Sequence, residues 1–282
     1  MKLCRVGLPG QEKPCLLDSA GNLRDLSGHV ADIAAEAISP AGLEKLRAID
    51  PETLPLYAGD RRYGVPVAGS GKFIAIGLNF ADHAAESNLP VPAEPVIFNK
   101  WVNCLQGAND TVVIPRGSTK TDWEVELGLI IGTGGHNLTE EEALSHVAGY
   151  CVVNDVSERH WQLERGATWD KGKGFPTFGP AGPWLVTSDE VADPQQLDMW
   201  LDVNGVRVQT GNTRTMIFTV AQIVAYCSRF TALLPGDIIT TGTPPGVGMG
   251  QKPEPWYLKD GDVVRLGVQG LGEQEQRFMA SA

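Results

Sequence analysis

The stretch Asp122-Trp-Glu-Val-Glu-Leu-Gly-Leu-Ile-Ile131 constrains the fold more than any other part of the chain, because it reads as a core strand that carries acids. Side chains alternate between the two faces of a strand. Trp123, Val125, Leu127, Leu129 and Ile131 therefore share one face, and Asp122, Glu124 and Glu126 share the other. The strand rise puts the two glutamates roughly 6.5–7 Å apart at Cα, close enough to converge on one cation. The competing reading is an amphipathic strand with its acidic face in water, and on this segment alone that reading is the default.

A chain of 282 residues, 42% of them apolar, can bury a substantial core as one large domain or as one domain with a small extension. Its 33 glycines and 19 prolines favour many turns between short strands over a helical bundle, so the expected class is α+β, mainly β. A formal net charge of −11 leaves no basic excess to meet a phosphate backbone. Nucleic acid is not an expected partner, and an anionic substrate needs a local cluster of Lys and Arg. Cys4, Cys15, Cys104, Cys151 and Cys227 form no CxxC pair and are read as reduced thiols. Met1 to Leu8 lacks the apolar core of a signal peptide, and no apolar run approaches the ~20 residues that span a bilayer. The expectation is a cytoplasmic protein with no membrane partner.

Along the chain, Lys2–Leu8, Cys15–Leu17 and a short segment after the Ser19–Asn22 turn read as strands. Ser39 caps a helix with Pro40 at its first position. Pro51–Ser70 reads as a linker, which divides the chain into a small N-terminal domain, 1–69, and a larger one, 70–282. In the larger part, Phe73–Ile76 is an apolar strand leading to His83 and Glu86 at i, i+3, where a carboxylate can orient an imidazole for general-base work. Val96–Lys100 is a strand ending in lysine. Thr139 opens a capping box and a helix to about Val147. The strand Gly149–Asn154 delivers a third acid, Asp155, at its end, where capping the next helix is the competing use. Ser157–Arg165 is expected to be helical, with Arg159 and Gln162 on one face. Lys171–Lys173 reads as a glycine-flanked loop, solvated by default. A hairpin turns at Asn204-Gly205, Thr219–Ser228 is an amphipathic helix, and Leu234–Gly248 runs a strand into a loop of glycine, proline and threonine.

Five segments carry a resemblance: Gly77-Leu-Asn-Phe-Ala-Asp-His83, Asp122-Trp-Glu-Val-Glu-Leu127, Asn154-Asp-Val-Ser-Glu-Arg159, Lys173-Gly-Phe-Pro-Thr-Phe-Gly-Pro180, and Leu234-Pro-Gly-Asp237 through Gly248. In this order and spacing, over roughly residues 70 to 280, they resemble the fumarylacetoacetate hydrolase family. The resemblance implies a mixed β-sandwich roll, usually a homodimer, that holds Mg²⁺ or Mn²⁺ through Glu124, Glu126 and Asp155, with Ca²⁺ an occupant in crystals. It also implies a dyad of His83 and Glu86, substrate-facing groups at Lys100, Arg159, Gln162, Lys173 and Thr243, and oxyanion support from Lys173 and Gln162. Many members carry aspartate where this chain has Pro176 and Thr215, positions that bear on substrate preference. The implied reaction is C–C cleavage of a 2,4-diketo acid to pyruvate and a carboxylic acid. Oxaloacetate-type decarboxylation, hydroxymuconate-type isomerisation, ureidoglycolate cleavage and a silent cation-binding dimer are the other readings.

Overall fold

The computed structural model describes residues 1–82, 91–166 and 168–281. Its first strands are β1 (Lys2–Val6), β2 (Lys13–Leu17), β3 (Leu23–Asp25), β4 (Phe73–Gly77), β5 (Val96–Lys100) and β6 (Leu105–Gly107). There follow β7 (Val112–Ile114), β8 (Thr121–Asp122), β9 (Val125–Ile131), β10 (Val147–Asn154), β11 (Ser157–Glu158) and β12 (Gly179–Thr187). The last are β13 (Asp198–Val203), β14 (Val206–Asn212), β15 (Ile238–Thr240), β16 (Val263–Val268) and β17 (Gly272–Ala280). The fold is mainly β, as expected. A large mixed sheet runs β3-β2-β1-β12-β10-β9-β15-β4-β5, with β6 pairing β12. A second sheet runs β14-β13-β16-β17-β7 and packs on the β9, β10 and β12 region.

Because β9 and β10 sit inside the large sheet and are covered on both faces, every residue of Val125–Ile131 and Val147–Asn154 is buried. The solvated acidic face is thereby overturned: Asp122, Glu124 and Glu126 are 0%, 6% and 1% exposed. The alternation itself holds, with Trp123, Val125, Leu127, Leu129 and Ile131 all in the core. The N-terminal strands extend the same sheet, β1 pairing antiparallel with β12 at Lys2↔Val186 and Leu3↔Leu185. Leu3, Leu16, Leu26 and Ile33 belong to one apolar cluster with Phe73 and Leu127.

Local signals read well where a cap or turn decides them. Ser39 accepts from Gly42 N at 3.0 Å to start the helix Pro40–Arg47. Asn204 and Gly205, with φ of 50° and 80°, make the two-residue turn between β13 and β14. Thr219 and Gln222 form a capping box for the helix Val220–Ser228. Three expectations are corrected. The helix after Thr139 stops at Ala143, and a 3-10 turn passes into β10, because Val147 is already needed in the sheet. Ser157 and Glu158 pair with Asp122 and Thr121 before the helix Arg159–Leu163 begins. Lys171–Lys173 lies in a helical turn, Asp170–Lys173, and Lys173 is 2% exposed. The five cysteines are free and buried. Among the described residues no helix is long and apolar enough to cross a membrane.

Candidate active site

Three consecutive backbone N–H groups explain how β9 presents its acids. Between β8 and β9 the ladder is interrupted, and side chains take over: Trp123 N donates to Asp122 Oδ1 (2.8 Å), Glu124 N to Asn154 Oδ1 (3.1 Å) and Val125 N to Gln209 Oε1 (3.0 Å). Asp155 N donates to Glu124 O at 2.9 Å, tying the end of β10 to the same point. Glu124, Glu126 and Asp155 consequently converge, with a ligand oxygen from each lying within 4.8 Å of the others.

Cations compensate two of these acids directly. Lys173 Nζ stands 2.7 Å from both Glu124 Oε2 and Asp155 Oδ2, and Lys100 Nζ lies 2.7 Å from Asp155 Oδ1. Arg159 divides its donors among Asp122 Oδ2 (2.8 Å), Glu124 Oε1 (2.6 Å) and Gln162 Oε1 (2.9 Å). Burial pushes the Glu124 carboxyl up, but Lys173 and Arg159 outweigh it and hold it at about 2. Glu126 goes the other way. Burial, then the neighbouring Asp155 and Glu124 charges, push it well above the usual carboxylate range. Its two hydrogen bonds, from Thr240 Oγ1 (2.5 Å) and Gly242 N (2.8 Å), both end on Oε2, and among the described residues it makes no ion pair.

That imbalance decides whether a divalent cation fits. Among the described residues, Asp122, Glu124, Glu126 and Asp155 face three cations, Lys100, Arg159 and Lys173, and the Glu126 carboxyl is the one left without a cationic partner. An all-carboxylate oxygen set of this kind suits a hard cation. The residues fit.

Glu124 and Glu126 open onto a cavity of about 470 Å³ that is also lined by Arg159, Gln162 and Thr243. Its apolar wall includes Ile76, Leu78, Phe98 and Trp169. Gly77 makes room for that wall, since a Cβ there would meet Trp169 at 2.3 Å. Leu78 sits at φ 53°, an uncommon conformation for a bulky residue. Asn79 holds it there, donating to Thr241 O (2.8 Å) and Phe218 O (3.1 Å) and accepting from Phe218 N (2.8 Å).

The sequence-expected residues Glu124, Glu126, Asp155, Arg159, Gln162, Lys173 and Thr243 thus come together. Lys100 stands behind them, 1% exposed, with its ammonium on Lys173 O (2.6 Å), Val156 O (3.3 Å) and Asp155. His83 and Glu86 lie outside the described residues. Asp122 was visible in the sequence but not as a site residue. It joins Arg159 to the cavity-lining loop through bonds from Gly248 N (2.6 Å) and Met249 N (3.0 Å). Gln209 had no signal at all.

The fumarylacetoacetate hydrolase C-terminal family matches residues 72–279. The chain belongs to the fumarylacetoacetate hydrolase family. A relative from Burkholderia orbicola (strain MC0-3), provisionally named a hydrolase, is 65% identical over 98% of each chain. Among solved structures covering 100% of both chains are fumarylacetoacetate hydrolase from Exiguobacterium antarcticum (34% identity, TM-score 0.87) and maleylpyruvate hydrolase from Sphingobium sp. SYK-6 (28%, 0.81). A 5-carboxymethyl-2-hydroxymuconate delta-isomerase from Mycobacterium smegmatis aligns at 29% identity and TM-score 0.79, also over both whole chains. Structures named as hydrolases and as an isomerase thus share this scaffold.

Proposed function

We propose that the chain is a divalent-cation-dependent hydrolase cleaving the C3–C4 bond of a 2,4-diketo acid, an acylpyruvate or a diketo-deoxy sugar acid, to pyruvate and a carboxylic acid. The observation that carries this reading is the convergence of Glu124, Glu126 and Asp155 beside a cavity whose other polar lining includes Arg159, Gln162 and Thr243. Its 470 Å³ suits a small-molecule substrate. Glu124, Glu126 and Asp155 would hold Mg²⁺ or Mn²⁺, which would supply Lewis acidity toward an α-keto carboxylate and the charge developing on the pyruvate half. The chain's own groups do the rest. Lys173 and Arg159 keep Glu124 ionised, and the Gln162 amide NH₂, uncommitted among the described residues, donates to the carbonyl under attack. From the sequence, His83 oriented by Glu86 takes a proton from water as its oxygen bonds to C4. The C3–C4 electron pair leaves with the pyruvate half, and the proton returns to C3. The homodimer and the cytoplasmic setting belong to the same proposal.

A second reading, isomerisation of a hydroxymuconate-type diacid, is favoured by the structural likeness to the isomerase. Purified protein with Mg²⁺ should be screened against acylpyruvates, diketo sugar acids, oxaloacetate, hydroxymuconate-type diacids and ureidoglycolate, following pyruvate and CO₂ separately. Pyruvate without CO₂ from an acylpyruvate supports hydrolysis. Consumption of the diacid with neither product supports isomerisation and removes the first reading.

A further inference from the structure

The acids of the site are held by buried amides that make no contact with the cavity themselves. Gln209, on β14 of the second sheet, is 0% exposed. Its Oε1 accepts from Val125 N (3.0 Å), and its Nε2 donates to Thr243 Oγ1 and Pro244 O, both at 2.8 Å. Thr243 Oγ1 in turn donates to Val125 O at 2.9 Å. Asn154, also 0% exposed, accepts from Glu124 N and donates to Gln276 Oε1 at 3.0 Å. Gln276, on β17, then donates to Ala108 O (2.5 Å) and Gln274 Oε1 (2.8 Å). The N–H groups of the two peptides flanking Glu124 thus donate to two side-chain amides, where a continuous strand would use neighbouring backbone carbonyls, while Glu124 O keeps a backbone partner in Asp155 N. Amides suit such a role because each offers a carbonyl and two N–H groups at fixed geometry without adding charge beside the carboxylates.

We propose that Gln209 and Asn154 are positioning residues that set the direction of the Glu124 and Glu126 carboxylates and so tune divalent-cation affinity. This inference rests on the cation-dependent reading above. Partners that orient ligands are typically worth about 10–100-fold in metal affinity. The test is calorimetric titration of Mn²⁺ into metal-stripped wild type, Asn154→Leu, Gln209→Met and the milder Gln209→Asn, each checked for folding by circular dichroism and thermal midpoint. Ser228→Ala is the control. Ser228 is as buried, but its hydroxyl donates to Ala225 O (2.7 Å) and accepts from Leu138 N (2.8 Å), with no bond to the Asn154 and Gln209 network. Affinity should fall about 10–100-fold in the first three variants and stay within about threefold of wild type in the control, even where the control loses as much thermal stability. Wild-type affinity in folded Asn154→Leu and Gln209 variants, or an equal loss in Ser228→Ala, overturns the positioning role. A wild type that binds no Mn²⁺ overturns the underlying reading instead.

Discussion

Lys173 shows how one residue can be both legible and misread. Its place in a familiar segment marked it for the site, yet a glycine-flanked basic loop gives no hint that the ammonium is buried between two carboxylates. Breaking a buried pair by removing one partner costs about 3–5 kcal/mol. Lys173→Met should therefore lower the urea midpoint of the metal-stripped protein and depress pyruvate release by two orders of magnitude or so. Unchanged turnover in the variant would take Lys173 out of the site. A second residue-scale expectation concerns acid stability. Burial pushes the Asp18 carboxyl up, but bonds from Asn22 N (2.8 Å), Arg24 Nε (2.8 Å), Asn22 Nδ2 (3.0 Å) and Ala20 N (3.0 Å) outweigh it and hold it at about 2. Because the folded value lies below the unfolded one, the stabilisation is full above pH ~4 and is lost as pH falls toward ~2. The urea-midpoint gap between wild type and Asp18→Asn should be constant from pH 7 to 5 and shrink below pH 4. A gap that persists unchanged to pH 2.5 contradicts this.

Among the elements, the short helix Asp170–Lys173 delivers Lys173 only because Gly172 lets it lie against the helix Arg159–Leu163. A Cβ at Gly172 would stand 2.5 Å from both Glu158 O and Gln162 N, backbone atoms that cannot swing aside. Gly172→Ala should cost about 1–3 kcal/mol through forced backbone shifts. It should also reduce turnover, since Lys173 and Gln162 move together; a thermal midpoint and rate matching wild type would show the approach to be unimportant. Elements bounded by caps and tight turns were legible, as Ser39-Pro40 and Asn204-Gly205 show, because the deciding contacts lie within a few residues. The strand β11 was not. Its pairing with Asp122 and Thr121 comes from a distant stretch, and the local pattern of Ser157–Arg165 reads as helix. The same distance hid Gln209, whose partner Val125 lies 84 residues away.

At the scale of the whole molecule, residues 1–69 contribute three strands to the edge of the large sheet and apolar side chains to the main cluster. Residues 70–282 expressed alone should have a markedly lower thermal midpoint than the full chain, read by circular dichroism. Equal midpoints would show that the N-terminal strands add nothing to the core. The acid-bearing strand was legible as the centre of the fold because β9 alternates cleanly, while its burial depended on sheets assembled from both ends of the chain. The central claim is that Glu124, Glu126 and Asp155 hold a divalent cation that acts on an acylpyruvate. The most direct measurement is pyruvate release from an acylpyruvate by metal-stripped protein before and after Mg²⁺ is added. Cation-dependent cleavage predicts no release before addition and full release after it; undiminished release without metal, or none with it, would contradict that claim.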